Sequence, residues 1–313
     1  MERFFLFPLK IFIIQNLVEV EMRQMFLHMN QIDWDELWKR AILDASWMRW
    51  RRDPVEFWNR RSEWYNKAVK GRVERTQGII AKLDLDPECM VLDIGSGPGT
   101  FTIPIAKIVK HATAIDISKG MLTCLRENAE KEGVRNIACI NKKWEDVELG
   151  NDIEEHDIVI ASYSLFAMLD IKEALLKMDR VARKTVYLLT SAGEQTSNYN
   201  KLWPKLYGEE YVPGPDYIYI VNVLYQIGIC ANVEILEYEY KQHFSSLDEA
   251  VEYWMNNFDE VPPGAEEIIR EYIAELLIEE EDAFWSKQKT KTALIWWHKE
   301  KESEGQEDAV KNI

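Results

Sequence analysis

The strongest chemical signal in the sequence is a glycine-rich segment at residues 93–100, which reads DIGSGPGT. It follows an apolar run typical of a buried strand and precedes a run typical of a helix. Glycines permit a tight turn and let a ligand approach the backbone closely, and the first turn of a helix offers unpaired N–H groups. The pattern therefore predicts a ligand-binding loop at the carboxyl end of the first strand.

A second signal is a carboxylate at the end of the next predicted strand. Asp116 lies in the apolar run 112–117, 17 residues after Gly99. One carboxylate has two acceptor oxygens and can hold both hydroxyls of a ribose. The loop is unlike a dinucleotide fingerprint, which counted from Gly95 would require Gly or Ala where this chain has Thr100, and no G-K-[ST] follows for a Walker loop.

Short apolar runs alternate with amphipathic helices and supply the framework for these residues. Such alternation predicts an α/β fold: a doubly wound, mostly parallel, seven-stranded Rossmann-like sheet covered by helices on both faces. Strands are predicted at residues 90–94, 112–117, 137–141, 157–161, 185–190, 232–244 and 290–297.

The pattern divides the chain into an N-terminal extension over residues 1–54, a main domain over 55–299 and a disordered polar tail over 300–313. The extension is predicted to be helical from about residue 30. Within the main domain, the aromatic-rich segment 195–230 is expected to cover the sheet edge as a lid, with a hydrophobic cap or a homodimer contact as the alternative. A helical insertion is predicted at 246–288, including one helix over 265–284.

The first residues contain an apolar run at 4–20 that is interrupted by Pro8 and Lys10 and is shorter than a membrane-spanning helix needs. Met22, Met25 and Met29 follow soon after. Our hypothesis is that residues 1–28 are a start-site artefact. Intact mass of the protein from its native host tests this.

Composition argues for a cytoplasmic, globular protein without a membrane anchor. The formal net charge is -16, which opposes binding to nucleic-acid backbones. The four cysteines form no C-x-x-C pair and the five histidines are scattered singly, so no metal site is predicted.

In the glycine loop and the second strand the sequence resembles the class I S-adenosylmethionine-dependent methyltransferases, over roughly residues 60–192. The resemblance implies S-adenosyl-L-methionine as cofactor, with Asp93 and the loop around its methionine part, Asp116 at the ribose and Ile117 and Met121 at the adenine. The cofactor-binding residues that it implies are Asp93, Gly95, Ser96, Gly97, Gly99, Thr100, Asp116, Ile117, Met121, Trp144, Glu145 and Ser162. Trp144 is equally well explained as a core residue.

The expected reaction is in-line transfer of the sulfonium methyl group to an acceptor, with no catalytic residue identified in the sequence. A small molecule is the favoured acceptor because of the acidic charge and the aromatic segment. A protein side chain is the alternative, as is a non-catalytic module that only binds S-adenosylmethionine. An NAD-dependent oxidoreductase is opposed by the glycine spacing.

Overall fold

The structure, a computed structural model, describes residues 32–49, 53–193, 198–258, 260–280 and 283–299. The hypothesis about residues 1–28 and the predicted tail at 300–313 fall outside these ranges. Within them, no helix is both long and apolar enough to cross a membrane.

The strands are β1 (Met90–Ile94), β2 (His111–Asp116), β3 (Ile137–Asn141), β4 (His156–Ser162), β5 (Ala182–Ser191), β6 (Asn232–Phe244), β7 (Ile278–Glu280) and β8 (Ala283–His298). They form one sheet in the order β3-β2-β1-β4-β5-β8-β6, with a short β7 paired to β8. The pairs among β1 to β5 are parallel, and β8 runs antiparallel to both β5 and β6. The predicted seven-stranded, mostly parallel sheet is therefore confirmed, with β7 as an addition.

Helices cover both faces of the sheet, and side-chain caps start several of them. Asp53 accepts hydrogen bonds from the N–H groups of Val55 and Glu56, as expected for the Asp-Pro start of a helix. The helices are α1 (Trp34–Asp44), α2 (Pro54–Ala68), α3 (Val73–Ile80), α4 (Thr102–Ala106), α5 (Lys119–Lys131), α6 (Ile171–Val181), α7 (Asn198–Tyr207), α8 (Tyr217–Gln226), α9 (Leu247–Met255) and α10 (Ala265–Ala274).

The predicted boundary at residue 54 does not separate an extension from the domain. Trp38 and Ile42 of α1 are fully buried in the same core as Leu92 of β1, and the Trp38 indole donates to the carbonyl oxygen of Met168 at 2.8 Å. A helix that buries such side chains against the sheet belongs to the fold, so α1 is part of the main domain.

The predicted lid at 195–230 divides between two hydrophobic cores. Helix α8 packs on the main core through Ile220, Val223 and Leu224, as a crossover helix between β5 and β6. Helix α7 instead joins α9, α10 and the end of β6 in a separate core, which we call the cap. Only α7 is therefore placed with the cap, while α8 covers a face of the sheet.

The prediction of a helix over 265–284 and of a last strand beginning at 290 was wrong. Helix α10 ends at Ala274, and β8 begins at Ala283, where Phe284 pairs with Phe244 at the end of β6. A long β6 exposes a row of backbone groups that needs a partner, and β8 supplies it. Because β5 ends at Ser191, opposite Thr292, β6 and β8 continue beyond it as a two-stranded ribbon.

Candidate active site

The glycine loop is held in a conformation that an L-residue rarely adopts. Gly95, Gly97 and Gly99 have φ values of +74°, +55° and +90°. A Cβ atom on Gly95 would lie 2.1 Å from Cβ of Ser164, whereas one on Gly97 would meet only Tyr65, at 4.0 Å. Gly95 is therefore required by contact with the turn after β4, and Gly97 leaves space beside the loop for a ligand.

The carboxylate of Asp116 ties this loop to the end of β2. Its Oδ2 accepts from the N–H of Gly97 at 2.9 Å, and its Oδ1 accepts from the N–H of Ser118 at 2.8 Å. Burial raises the pKa of Asp116, and these two hydrogen bonds act in the opposite direction. Each oxygen keeps a lone pair that can accept a hydrogen bond from a ligand hydroxyl.

Asp93, at the end of β1, is almost completely buried beneath the loop. Its Oδ2 accepts from the Thr102 hydroxyl at 2.6 Å. The pKa of Asp93 is raised to about 7, chiefly by burial and to a smaller extent by the nearby Asp116 carboxylate, while hydrogen bonds from Thr102 act in the opposite direction. A carboxyl with this pKa is ready to ionise when a cation is placed beside it.

Most of the predicted site residues line one cavity of 470 Å³ at the carboxyl edge of the sheet. It opens where β1 and β4 lie side by side, which is the switch point of the strand order and the usual ligand position in such sheets. Gly99 does not line it and lies against Ile103 and Leu125. The predicted residues that do are Asp93, Gly95, Ser96, Gly97, Thr100, Asp116, Ile117, Met121, Trp144, Glu145 and Ser162. Their contacts with the cofactor stay a prediction.

Trp144 is a core residue that also lines the first cavity, and its contact with the cofactor stays a prediction. The residue is 2% exposed and belongs to the main core, and its indole donates to the carbonyl oxygen of Ala174 at 3.2 Å. The ammonium of Lys177 lies 4.9 Å from the ring centroid. One part of the residue still lines the cavity, so it packs as a core residue and also forms cavity wall.

Helix α2 lies over the glycine loop. Asn59 Oδ1 accepts from the Ser118 hydroxyl at 2.9 Å and from the N–H of Gly120 at 3.0 Å, which attaches α2 to the start of α5. This attachment holds Tyr65 over Gly97, with Trp58 edge-on to it at 5.5 Å between ring centroids. The aromatic side chains of α2 therefore form the roof of the first cavity.

Sequence reasoning missed a polar cluster formed by Arg75, Tyr163 and Thr292. Tyr163 follows β4 and has a φ of +54°, the only positive value of a non-glycine residue in the described ranges. Its hydroxyl lies 2.6 Å from Oγ1 of Thr292, and both oxygens accept from Nη2 of Arg75. Positive φ values at bulky residues are costly and concentrate at functional sites. No local pattern reveals this cluster, because its members come from α3, the end of β4 and β8.

A second cavity, of 820 Å³, adjoins the first. Its walls come from α2, the cap and the ribbon of β6 and β8. Of the 26 described residues that line it, 12 are aromatic, a far larger share than the 12% of the whole chain. The residues that line both cavities are Trp47, Trp58, Tyr65, Arg72, Arg75 and Tyr163. The two cavities therefore meet at the roof of the first cavity, above the glycine loop, and at the polar cluster.

Comparison with known protein families identifies the family of this chain. A model described as a methyltransferase domain matches residues 85–257, more than half of the chain. The chain belongs to this methyltransferase family. It is an enzyme with the cofactor S-adenosylmethionine.

The relatives of this methyltransferase share parts of its sequence. An uncharacterised protein of Haemophilus influenzae is 34% identical over 184 residues, which are 56% of this chain and 67% of that protein. The Methanocaldococcus jannaschii protein named "Probable cobalt-precorrin-6B C(15)-methyltransferase (decarboxylating)" is 37% identical over 68 residues, 22% of this chain and 37% of that protein. The crystal structure of YcgJ from Bacillus subtilis aligns with 73% of this chain and 99% of its own, at 15% identity and a TM-score of 0.49.

The residues present fit the cofactor of the methyltransferase. Ser96 Oγ is buried at the first cavity without a hydrogen-bond partner among the described residues, so it is available to a polar group. The Asp116 carboxylate has capacity for a ribose, and the buried Asp93 carboxyl suits the ammonium of an amino acid. When bound, S-adenosylmethionine supplies an electrophilic methyl group on a positive sulfur.

We predict that binding of S-adenosylhomocysteine strengthens as pH rises from 6 to 8. Before the ligand binds, Asp93 has a pKa of about 7 and is largely protonated at the lower pH. A ligand ammonium beside it favours the ionised form, so binding releases a proton below about pH 7 and needs no release above it. Calorimetric titrations at pH 6, 7 and 8, each in buffers of different ionisation enthalpy, measure both the affinity and the proton count.

The Asp93→Asn variant is the matched control. It should bind S-adenosylhomocysteine more weakly than the wild type does, and its affinity should not change between pH 6 and 8. Without ligand, Asp93→Asn should also be more stable than the wild type at pH 8, by as much as about 4 kcal/mol. The wild-type carboxyl has a pKa of 3.8 in the unfolded chain and of about 7 in the folded protein, so the free energy of unfolding of the wild type falls as pH rises between these two values. An identical pH slope in both proteins would contradict the role assigned to Asp93.

Proposed function

We propose that this enzyme methylates a small-molecule acceptor, which binds in the second cavity while S-adenosylmethionine occupies the first. The observation that carries the proposal is the continuity of the two cavities through six shared residues. An acceptor in the second cavity then reaches the cofactor at this junction. Transfer of a methyl group requires such contact between the two ligands.

The walls of the second cavity support a compact acceptor. Aromatic side chains approach it from three directions: Trp64 from α2, Tyr238 from the ribbon, and Tyr253 from α9 in the cap. The Trp64 and Tyr253 rings lie 5.6 Å apart between centroids, so α2 and the cap are in contact across the cavity. Aromatic walls on several sides bury apolar or planar molecules well.

Methyl transfer requires the protein mainly to align the acceptor with the methyl group of the cofactor. When bound, S-adenosylmethionine would supply the methyl carbon to a lone pair of the acceptor, and the carbon–sulfur bond would break with its electron pair left on sulfur, giving the neutral thioether of S-adenosylhomocysteine. Any proton on the acceptor atom leaves to water or to a nearby base. The roof of α2 and the cap hold the two ligands in line.

The acceptor class is tested with S-adenosylmethionine that carries a radiolabelled methyl group. The enzyme is incubated separately with the low-molecular-mass, protein and RNA fractions of an extract from its native host. We expect the label in a low-molecular-mass product. This labelling should require an intact cofactor site and should therefore be lost in Asp116→Ala. Label that enters protein or RNA instead would overturn the small-molecule proposal and leave the methyltransferase activity standing.

We predict that filling the second cavity at Gly71 blocks transfer without harming the cofactor site. Gly71 lines this cavity and not the first, and a Cβ placed on it meets no atom within 4 Å. Gly71→Trp should therefore fold, bind S-adenosylhomocysteine normally and lose methyl transfer by about tenfold or more, because displaced reactants lose alignment. Calorimetry measures binding, and the label assay measures transfer.

Gly78→Trp is a matched control, since a Cβ on Gly78 also meets nothing within 4 Å but this residue of α3 lines neither cavity. It should retain full transfer. Equal activity of the two variants would show that the second cavity does not take part in the reaction.

A further inference from the structure

Arg75 brings a positive charge to the junction of the two cavities. Its Nη2 donates to the hydroxyls of Tyr163 and Thr292, the latter at 2.8 Å. Its guanidinium carbon lies 5.0 Å from the ring centroid of Tyr163 and 5.5 Å from that of Tyr238. Aromatic faces and hydroxyl groups thus fix the guanidinium in place from two sides.

No negative charge balances Arg75 among the described residues, where no carboxylate oxygen lies within 4.0 Å of its guanidinium nitrogens. Its Nε atom is buried and has no hydrogen-bond partner in the same ranges. Arg75 as a whole is half-buried, but a buried donor such as its Nε is normally hydrogen-bonded. The position of this guanidinium is therefore suited to a ligand that is an anion.

The lysines of the second cavity differ from Arg75, because each has a carboxylate of its own. Lys291 lies 3.0 Å from Glu237, and Lys241 lies 3.2 Å from Glu239. Both pairs lie on the ribbon, and in each pair the glutamate neutralises the charge of its lysine. Neither lysine therefore adds unbalanced positive charge beside Arg75, in a chain whose net charge is -16.

The hydroxyls beside Arg75 leave a second donor for an anion. Tyr163 and Thr292 share one hydrogen bond, so one of their two hydroxyl hydrogens has no acceptor within the pair. Thr292 is fully buried, whereas Tyr163 lines both cavities. If Thr292 donates to Tyr163, the phenol hydrogen of Tyr163 is free to point into the cavity, beside the guanidinium.

We propose that the acceptor is an organic anion with an aromatic or other planar apolar body, such as an aromatic carboxylate. Arg75 and the Tyr163 hydroxyl hold its anionic group at the cavity junction, and the aromatic walls hold its body. This inference rests on the function proposed above for the same cavity. Arg75 here binds the acceptor and stabilises its charge near the cofactor.

The experiment measures binding of 2-naphthoate and 2-naphthamide, which have the same ring system and differ in charge. Each is titrated calorimetrically into the full chain saturated with S-adenosylhomocysteine. The expected result is that naphthoate binds roughly 10- to 100-fold more tightly than the amide, as is typical of a charge-assisted hydrogen bond. Arg75→Gln should abolish this preference, Arg75→Lys should keep part of it, and Tyr163→Phe should reduce it.

Arg270→Gln is the matched control, because Arg270 lines neither cavity and is paired with Asp248 and Glu266 on the surface. It removes the same charge and should keep the preference. Equal affinity for the two probes, binding of neither, or a preference that survives Arg75→Gln would overturn the proposal. The measurement needs no turnover, so it is independent of the label assay, which alone decides whether the acceptor is a small molecule.

Discussion

Replacing Asp116 by alanine is expected to weaken binding of S-adenosylmethionine by about 100-fold or more. The substitution removes the carboxylate that is predicted to accept hydrogen bonds from the ribose hydroxyls, and hydrogen bonds to a charged group contribute about 1.5–3 kcal/mol each. It also frees the N–H groups of Gly97 and Ser118, so the glycine loop loses its tie to β2. Calorimetric titration with S-adenosylmethionine and S-adenosylhomocysteine measures the loss.

The fold of this variant should survive. Burial raises the pKa of Asp116, which means that the ionised side chain is costly in the ligand-free protein and its removal is partly compensated. Asp116→Asn should fall between wild type and alanine, because one oxygen remains to accept while the amide nitrogen cannot. Near-normal melting together with lost binding would separate a binding role from a folding role.

Asp146→Ala provides the comparison. Asp146 follows β3 in the 3-10 turn Trp144–Asp146, is exposed, and does not line the first cavity. Its removal should change cofactor affinity by no more than about threefold, the level expected for a surface charge. If Asp116→Ala retained affinity at that same level, the ribose assignment would be wrong.

Gly95→Ala is expected to produce the largest loss of stability, about 3 kcal/mol or more. The new Cβ would lie 2.1 Å from Cβ and 2.8 Å from Oγ of Ser164, and the backbone φ of +74° adds further strain. The turns after β1 and β4 would have to move apart, and both line the first cavity. Denaturant unfolding measures the stability, and titration with S-adenosylhomocysteine measures the cofactor site.

Two further variants separate the collision from the backbone strain. Gly133 has a similar φ of +70°, but a Cβ on it meets nothing within 4 Å, so Gly133→Ala should cost only about 1–2 kcal/mol. Ser164→Gly removes the atoms with which the methyl group introduced by Gly95→Ala would collide, although it also loses the bond from Ser164 Oγ to the carbonyl oxygen of Ile94. The double variant should recover at least about 1 kcal/mol relative to the sum of the single changes. Strict additivity would mean that this contact is not the cause.

The proposed acceptor site was the part that sequence reasoning could not assemble. Arg75 lies on α3 before the first strand, Tyr163 follows β4 and Thr292 belongs to β8, so 88 residues separate the first two and 129 the last two. Hydrophobic periodicity and turn chemistry are local signals. They contain no information about side chains brought together over such separations. Tyr163 adjoined the predicted Ser162, but only the backbone of the fold shows its positive φ.

The sequence by itself determined the elements whose cause is local. The bounds of β1, β3 and β6 agree with the apolar runs, and the loop at 93–100 and the carboxylate at Asp116 follow from glycine conformation and strand alternation. Only the tertiary structure decided that α1 belongs to the core, that β8 begins at Ala283 and that the second cavity meets the first at Arg75. These features depend on which distant surfaces are buried together, and burial is a property of the whole chain.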